Sequence, residues 1–492
     1  MGCHGYTVLK KELKSSQIEE IRSGLTFKPF VCPGYGTDPE SFSVLGEGKS
    51  KFFLPKFYGI KKFGVSKRNK LGKGDPIDVK FQGALRKNQE KPVETALQAA
   101  KKTGGGIFCA PCAMGKTCCF IYIFTILKVK TLIVVNKDFL LEQWKDRIKQ
   151  FAPEARVGII KQKKMDVENK DIVIGMLQSI AKCDYPSTLY KSFGMVIYDE
   201  VHCIPSRVFS RALRKIQTRY HFGLSATPTR ADGLTKIIKL FIGDIIYRPD
   251  KKNAPKNPKS LQVITIKPKN LPTSSFYRAK RNRFGKPDIV GMISNIIKCP
   301  QRLKLICDVI QNLIQDKRHI LVLSRRIKYL NDIESRLKKI FKNKVPFQIG
   351  YYVGGMKKAD RKISEVADLI LASYSMAKEA MDIPILDTLF MVTSTPTIEQ
   401  PVGRVQRKME YPKERPPLVV DLIDPFSSFY RQADKRHDFY DKNHYPVQNI
   451  IVDFNENINK KMDECLAEFN KTPEKEEDII IDIDEIMKDL DI

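Results

Sequence analysis

The chain has 492 residues, of which 42% are hydrophobic, and a formal net charge of +30 at pH 7. That apolar share excludes general disorder, and the length suggests about three domains at roughly 100–200 residues each. No run approaches the ~20 apolar residues of a membrane span, so no membrane partner is expected.

The N-terminus lacks the apolar centre of a secretory signal, and Tyr6 stands where a myristoylation motif takes Ser or Thr. Residues 1–80 read as a basic, aromatic N-terminal domain. The stretch 47–80 carries ten Lys/Arg against Glu47, Asp75 and Asp78, with Phe52, Phe53, Phe57, Tyr58 and Phe63 interleaved. Two readings stay open: a surface that stacks bases and pairs phosphates, or a small β-rich cap that docks through its Phe residues.

From 81 to 250, short apolar runs alternate with amphipathic helical stretches. The runs are GIFCA (106–110), TLIVVN (131–136), DIVIGM (171–176), MVIYD (195–199) and HFGLSA (221–226). Continuous apolar runs of this length predict strands buried on both faces of a parallel sheet, hence an α/β doubly wound domain. Directly after the first run comes Ala110-Pro111-Cys112-Ala113-Met114-Gly115-Lys116-Thr117. It follows the phosphate-loop pattern, with Ala110 in place of the first glycine. In such a loop backbone N–H groups hold phosphates, Lys116 bridges their oxygens, and the Thr117 hydroxyl ligates Mg²⁺.

The fourth run ends in Asp199-Glu200-Val201-His202. Two adjacent carboxylates at the end of a buried strand are costly unless a cation or a reaction uses them. Asp199 is expected to hold Mg²⁺, Glu200 to activate the attacking water, and His202 to link this site to the rest of a cleft. After the fifth run, Leu224-Ser225-Ala226-Thr227-Pro228 brings two hydroxyls toward the carboxylates.

Residues 251–286 form a basic linker in which only LQVITI (261–266) reads as a strand. The α/β rhythm resumes over 287–455, with strands expected in HILVLS (319–324), PFQIGYYVG (346–354), DLILAS (368–373), TLFMVTS (388–394) and PLVVDLI (417–423). Here Gln400-Pro-Val-Gly403-Arg404-Val-Gln-Arg407 predicts two arginines on one helix face, able to neutralise charge on a γ-phosphate. Residues 456–492 read as an acidic tail; from 463 on, twelve acids face three lysines. The eleven cysteines have no regular spacing, and Cys109-x-x-Cys112 has no second pair, so reduced thiols in a reducing compartment are expected.

These motifs, in this order over roughly 81–425, resemble a superfamily 2 DExH-box helicase. Leu85-Arg86-Lys-Asn-Gln89 is similar to the Q motif, which implies adenine reading by Gln89. Leu132–Trp144 resembles motif Ia, which lies along a nucleic-acid backbone. Glu379–Pro384 resembles motif V, with Ala380 where glycine is usual, and implies that Asp382 faces nucleotide. The stretch from Asp199 through Arg230-Ala231-Asp232-Gly233 is similar to the XPB-like helicases, and the chain's size and N-terminus to poxvirus-type transcript-release helicases.

The resemblance implies two tandem RecA-like lobes with ATP and Mg²⁺ between them. It implies catalytic roles for Lys116, Glu200, Gln400, Arg404 and Arg407. Nucleotide contacts would come from Arg86, Gln89, residues 110–117 and Asp382, and metal ligands from Thr117 and Asp199. The implied partners are nucleic acid, DNA ahead of RNA, and transcription machinery; a viral member would sit in virion and host cytoplasm. Two alternatives remain: a translocase that remodels complexes without unwinding, and a nucleic-acid-binding protein with a degenerate nucleotide site, for which Ala110 and Ala113 are the support.

Overall fold

Apolar runs without alternation need cover on both faces, and helices supply it. In a computed structural model of the chain, we describe residues 1–2, 4–31, 38–66, 68–110, 114–226, 228–230, 232–249, 261–269, 275–379, 381, 383–406, 411–412, 415–454 and 456–471. The first sheet has eight strands. Its order is Ile245–Tyr247, Gly105–Cys109, Tyr220–Ser225, Met195–Tyr198, Thr131–Val135, Ile172–Met176, Val157–Lys161 and Lys164–Asp166. All neighbours are parallel except the last pair, a hairpin. The five predicted strands are its centre, and every residue in them is buried.

This order positions the site. Cys109 pairs with Ser225, and the strand ending at Ser225 pairs with the one ending at Tyr198. The C-terminal ends of three adjacent parallel strands therefore carry the phosphate loop, Ser225 and Asp199, the usual place for a ligand in such sheets. Gly105 makes the pairing close: a Cβ there would lie 1.8 Å from the His221 carbonyl oxygen.

The second sheet is wholly parallel, in the order Ile349–Tyr352, Leu369–Ser373, Ile320–Ser324, Thr388–Met391, Leu418–Leu422, Gln262–Lys269 and Val447–Asp453. The strand expected inside the linker thus belongs to this lobe, since a buried apolar strand needs neighbours on both edges. The end of the lobe also moves. Helix Ile458–Lys471, expected in the acidic tail, buries Ile458 and Met462 in the second lobe's core. Two buried Arg–Asp pairs brace this lobe. Arg302 donates to both oxygens of Asp424 at 2.7 and 2.8 Å, and Arg436 to both of Asp421 at 2.7 and 3.0 Å.

The N-terminal unit is a three-stranded antiparallel sheet (Tyr6–Leu9, Lys51–Leu54, Gly46–Glu47) with helices Ser15–Gly24 and Lys56–Phe63. It shares a core with the first lobe: Ile21, Phe52 and Leu54 cluster with Leu213, Ile216 and Ile237. Phe57 packs where a Cβ on Gly243 would stand, at 2.9 Å. Of the two readings of this aromatic stretch, Phe52, Phe57, Tyr58 and Phe63 take the packing role. Ile77 and Val79, placed before the boundary at 80, are buried in the first lobe.

Candidate nucleotide site and interlobe cleft

Gly115 opens the helix Lys116–Leu127 with left-handed angles, φ 76° and ψ 44°, which glycine adopts without a Cβ clash. Beneath it lies Gln89. Its Nε2 donates to the Met114 carbonyl at 2.8 Å, and its Oε1 accepts from the Arg86 N–H at 2.9 Å. A Cβ on Gly115 would stand 2.7 Å from that Nε2. Both ends of the buried amide are therefore engaged by the protein, and Gln89 joins the first turn of helix Lys87–Lys102 to the phosphate loop. Arg86 is exposed at that helix's N-cap. Lys116 is buried and donates to the Ala110 carbonyl at 2.8 Å, while Thr117 is half-buried in the helix's first turn. Pro111, Cys112 and Ala113 lie outside the described residues.

At the neighbouring strand end Glu200 is also left-handed, φ 46° and ψ 51°. For a residue with a Cβ this costs about 1–2 kcal/mol, and the Glu200 N–H donates to Asp199 Oδ1 at 2.9 Å. Asp199 Oδ2 accepts from Trp144 Nε1 at 2.8 Å. Burial, and then the Glu200 charge, push Asp199 up to about 6, against the pull of Trp144 and Lys116. Burial also opposes ionisation of Glu200, but His202, Lys116 and Arg404 outweigh it and hold Glu200 below its ordinary value. His202 Nδ1 lies 3.2 Å from Glu200 Oε2 and 3.0 Å from Ser225 Oγ. Burial works against its charge, yet Cys203 and Glu200 raise it to about 10. Ser225 thus meets His202, and through it Glu200. Thr227 lies outside the described residues.

Arg404 lies across the cleft, in the second lobe. The helix expected to present it ends at Val402, before Gly403, and Arg404 sits in the following turn. Its guanidinium is buried and donates to the Ala377 and Met381 carbonyls at 2.8 and 2.5 Å, bracing the motif V segment. Its charge still reaches Glu200 and favours the carboxylate. Gln400 is half-buried in the short helix Glu399–Val402. Arg407, Ala380 and Asp382 lie outside the described residues. Phe139, from the motif Ia helix, packs against cores of both lobes.

Residues 82–230 match the family described as "Type III restriction enzyme, res subunit". The chain is 33% identical over 461 residues to "Putative ATP-dependent RNA helicase L396" of Acanthamoeba polyphaga mimivirus, covering 91% of this chain and 86% of that relative. It belongs to the superfamily 2 helicases. Two solved structures share the fold, which makes both lobes of this helicase RecA-like. S. cerevisiae Dbp5 bound to RNA and ADP BeF3 has a TM-score of 0.51 at 11% identity, covering 78% of this chain and 98% of that one. The type ISP restriction-modification enzyme LlaBIII bound to DNA has 0.53 at 14% identity, covering 79% and 33%. The helicase is an ATP hydrolase of a nucleic-acid-binding family.

Two working parts of the helicase went unrecognised in its sequence. Trp144 falls in the stretch that resembles a backbone-tracking motif, yet it holds Asp199; that it is the chain's single tryptophan is the one available signal. Arg230 stands out in the sequence only through the Arg-x-Asp-Gly pattern. It forks onto Asp232 and also donates to the His202 carbonyl, so it fixes the segment that carries His202.

Proposed function

We propose that this helicase couples ATP·Mg²⁺ hydrolysis to 3′→5′ movement along one nucleic-acid strand, DNA ahead of RNA, in transcription or repair. The observation that carries this reading is electrostatic: Arg404 of one lobe helps keep Glu200 of the other ionised. A cleft wired in this way responds to whatever neutralises or separates those charges. Glu200, a carboxylate at neutral pH, is suited to take the proton of the attacking water. Lys116 would exchange its loop carbonyl for phosphate oxygens.

The donor set fits a hard dication. Asp199 and Thr117 offer oxygen, and burial together with Glu200 raises the Asp199 carboxyl, a cost that a bound cation relieves. Mg²⁺ held there would neutralise charge on the β- and γ-phosphates. Arg407, Gln400 and Asp382 are the remaining candidates for contacts from the second lobe.

A second feature supports the strand path. A cleft of about 510 Å³ at the strand ends is lined by Asn136, Lys137, Asp138, Lys161, Gln178 and Lys182, with Lys161 paired to Asp138 at 2.7 Å. Asn136 Oδ1 and Gln178 Oε1 are buried there without a hydrogen-bond partner among the described residues. Lysines suit phosphates, whereas these acceptors need a donor, which a ribose 2′-hydroxyl supplies and deoxyribose does not. That favours RNA as the second reading, as does the name of the mimivirus relative.

The test is phosphate release by the wild type and Lys116→Ala, with and without single-stranded DNA or RNA, beside forked-duplex unwinding and triplex displacement. Turnover stimulated by nucleic acid and lost in Lys116→Ala, with nucleic-acid binding kept, is expected. Undiminished turnover in that variant would refute the site, and triplex displacement without unwinding would make the helicase a non-unwinding translocase.

A further inference from the structure

A second cavity, of about 400 Å³, lies between the N-terminal unit and the first lobe. It is remote from the ATP motifs. Gln217 on its wall precedes the N-terminal end of strand Tyr220–Ser225, whereas Ser225 of the nucleotide site closes the other end, about 20 Å along at ~3.3 Å per residue. Its size falls within the about 300–1,000 Å³ typical of small-molecule sites.

Three properties of the wall define what fits. The first is charge. Lys191, Arg211, Arg214 and Lys215 line the cavity, and among the described residues no carboxylate does. Lys215 is engaged by the Cys183 carbonyl and Asp184, but the guanidinium groups of Arg211 and Arg214 have no ion pair or hydrogen bond among the described residues. Arg214 reaches toward the N-terminal sheet, its Nη2 lying 3.4 Å from where a Cβ on Gly46 would stand. Burial and the Arg211 charge lower Arg214 from its ordinary value.

The second property is unmet hydrogen bonding. Tyr190 is 5% exposed and its hydroxyl has no partner among the described residues; Gln217 Oε1 is buried and equally without one among them. Such groups are costly to leave unpaired in a buried wall. An amide oxygen needs a donor, which neither a phosphate nor a carboxylate supplies. The third property is shape: Phe53, Tyr185, Tyr190 and Phe241 give flat apolar faces.

A lone anion would use only the arginines, and an apolar ligand only the rings. A nucleobase offers a ring face and an N–H donor, and its phosphate offers the anion. We propose that this cavity binds a nucleoside phosphate, either free or as the phosphorylated end of a nucleic-acid strand. Such a ligand would bridge the N-terminal unit and the first lobe, using Arg211 and Arg214 for phosphate and Gln217, Tyr190 and the aromatic faces for the base.

The test is isothermal titration of the full chain carrying Lys116→Ala, so that phosphate-loop binding is weakened. The probes are AMP, 5′-phosphorylated trithymidylate, its 5′-hydroxyl form and pyrophosphate. One equivalent of a nucleoside phosphate should bind. Arg211→Gln with Arg214→Gln should weaken it by about tenfold or more, and Tyr190→Phe by several-fold. In an otherwise unaltered chain the arginine pair should leave basal ATP turnover within about twofold, since neither residue touches the ATP motifs.

Tighter AMP binding would make the source a free nucleotide; tighter binding of the phosphorylated trinucleotide would make it a strand end. Three results would overturn the proposal. One is binding of neither probe, or binding that the arginine and Tyr190 variants leave unchanged. Another is pyrophosphate competing as well as AMP, which leaves an anion pocket with no base selection. The third is displacement of AMP by a peptide of residues 472–492, whose acids and isoleucines would make the cavity a dock for the chain's own tail.

Discussion

Trp144 Nε1 donates to Asp199 Oδ2 at 2.8 Å, so the chain's single tryptophan grips the carboxylate proposed as a metal ligand. Trp144→Phe keeps an aromatic ring in the core and removes the donor. A hydrogen bond to a charged group is worth about 1.5–3 kcal/mol. We expect ATP turnover to fall by about tenfold or more, with the circular dichroism spectrum unchanged. In the wild type, Trp144 emission should change on adding ATP and Mg²⁺. A saturating titration with no spectral response would contradict the contact's role.

His202 connects Glu200 to Ser225, and Arg230 holds the His202 carbonyl. Because His202 helps keep Glu200 ionised, His202→Ala should raise the Glu200 pKa. The acid-side loss of ATP turnover should then begin at higher pH than in the wild type. Arg230→Ala leaves the imidazole present but frees its backbone. It should cut nucleic-acid stimulation of turnover by about tenfold and leave the acid limb in place. If both variants show the wild-type acid limb, the Glu200–His202 link is not functional.

The central strands were legible because parallel strands covered on both faces leave continuous apolar runs such as TLIVV and IVIGM. The phosphate loop and Asp199–Glu200 were legible because their chemistry demands fixed spacing beside a strand. What stayed hidden depends on contacts distant in sequence. Nothing local to LQVITI shows that Leu418–Leu422 and Val447–Asp453 flank it. Arg404 reads as a reagent for phosphate, yet here it braces two backbone carbonyls, and carbonyl partners leave no trace in side-chain patterns. The aromatic residues of the N-terminal unit read equally as base-stacking or packing groups until Leu213, Ile216 and Gly243 are placed beside them.

Arg302 and Asp424 are both fully buried, and the guanidinium also meets the Tyr329 hydroxyl and the Val392 carbonyl. Arg302→Met would leave a buried carboxylate uncompensated, at about 3–5 kcal/mol. Adding Asp424→Leu should recover most of that loss, because two apolar groups carry no desolvation penalty. Urea denaturation of the three proteins tests this. A double variant no more stable than the Arg302 single variant would show that the pair contributes net stability of its own.

Lys56 gives the N-terminal unit a pH-dependent seat on the first lobe. It is buried, donates to the Arg219 carbonyl at 2.7 Å, and would lie 2.8 Å from a Cβ on Gly104. Burial, and then the Arg219 charge, lower it from 10.5 to about 7. Between those values the unfolded chain binds more protons than the folded one, so stability rises with pH across that window. Below about 7 both states are protonated and the whole penalty is present; near 10.5 it has gone. Lys56→Met removes the titrating group. Relative to the wild type the variant should be favoured at pH 7 more than at pH 10, by up to about 4 kcal/mol over those three pH units at 1.36 kcal/mol per unit. The lost hydrogen bond to Arg219 lowers the variant's stability equally at both pH values, so it cancels from this comparison. Urea midpoints of both proteins at the two pH values decide the matter: an equal difference at each would mean that Lys56 stays charged in the folded protein.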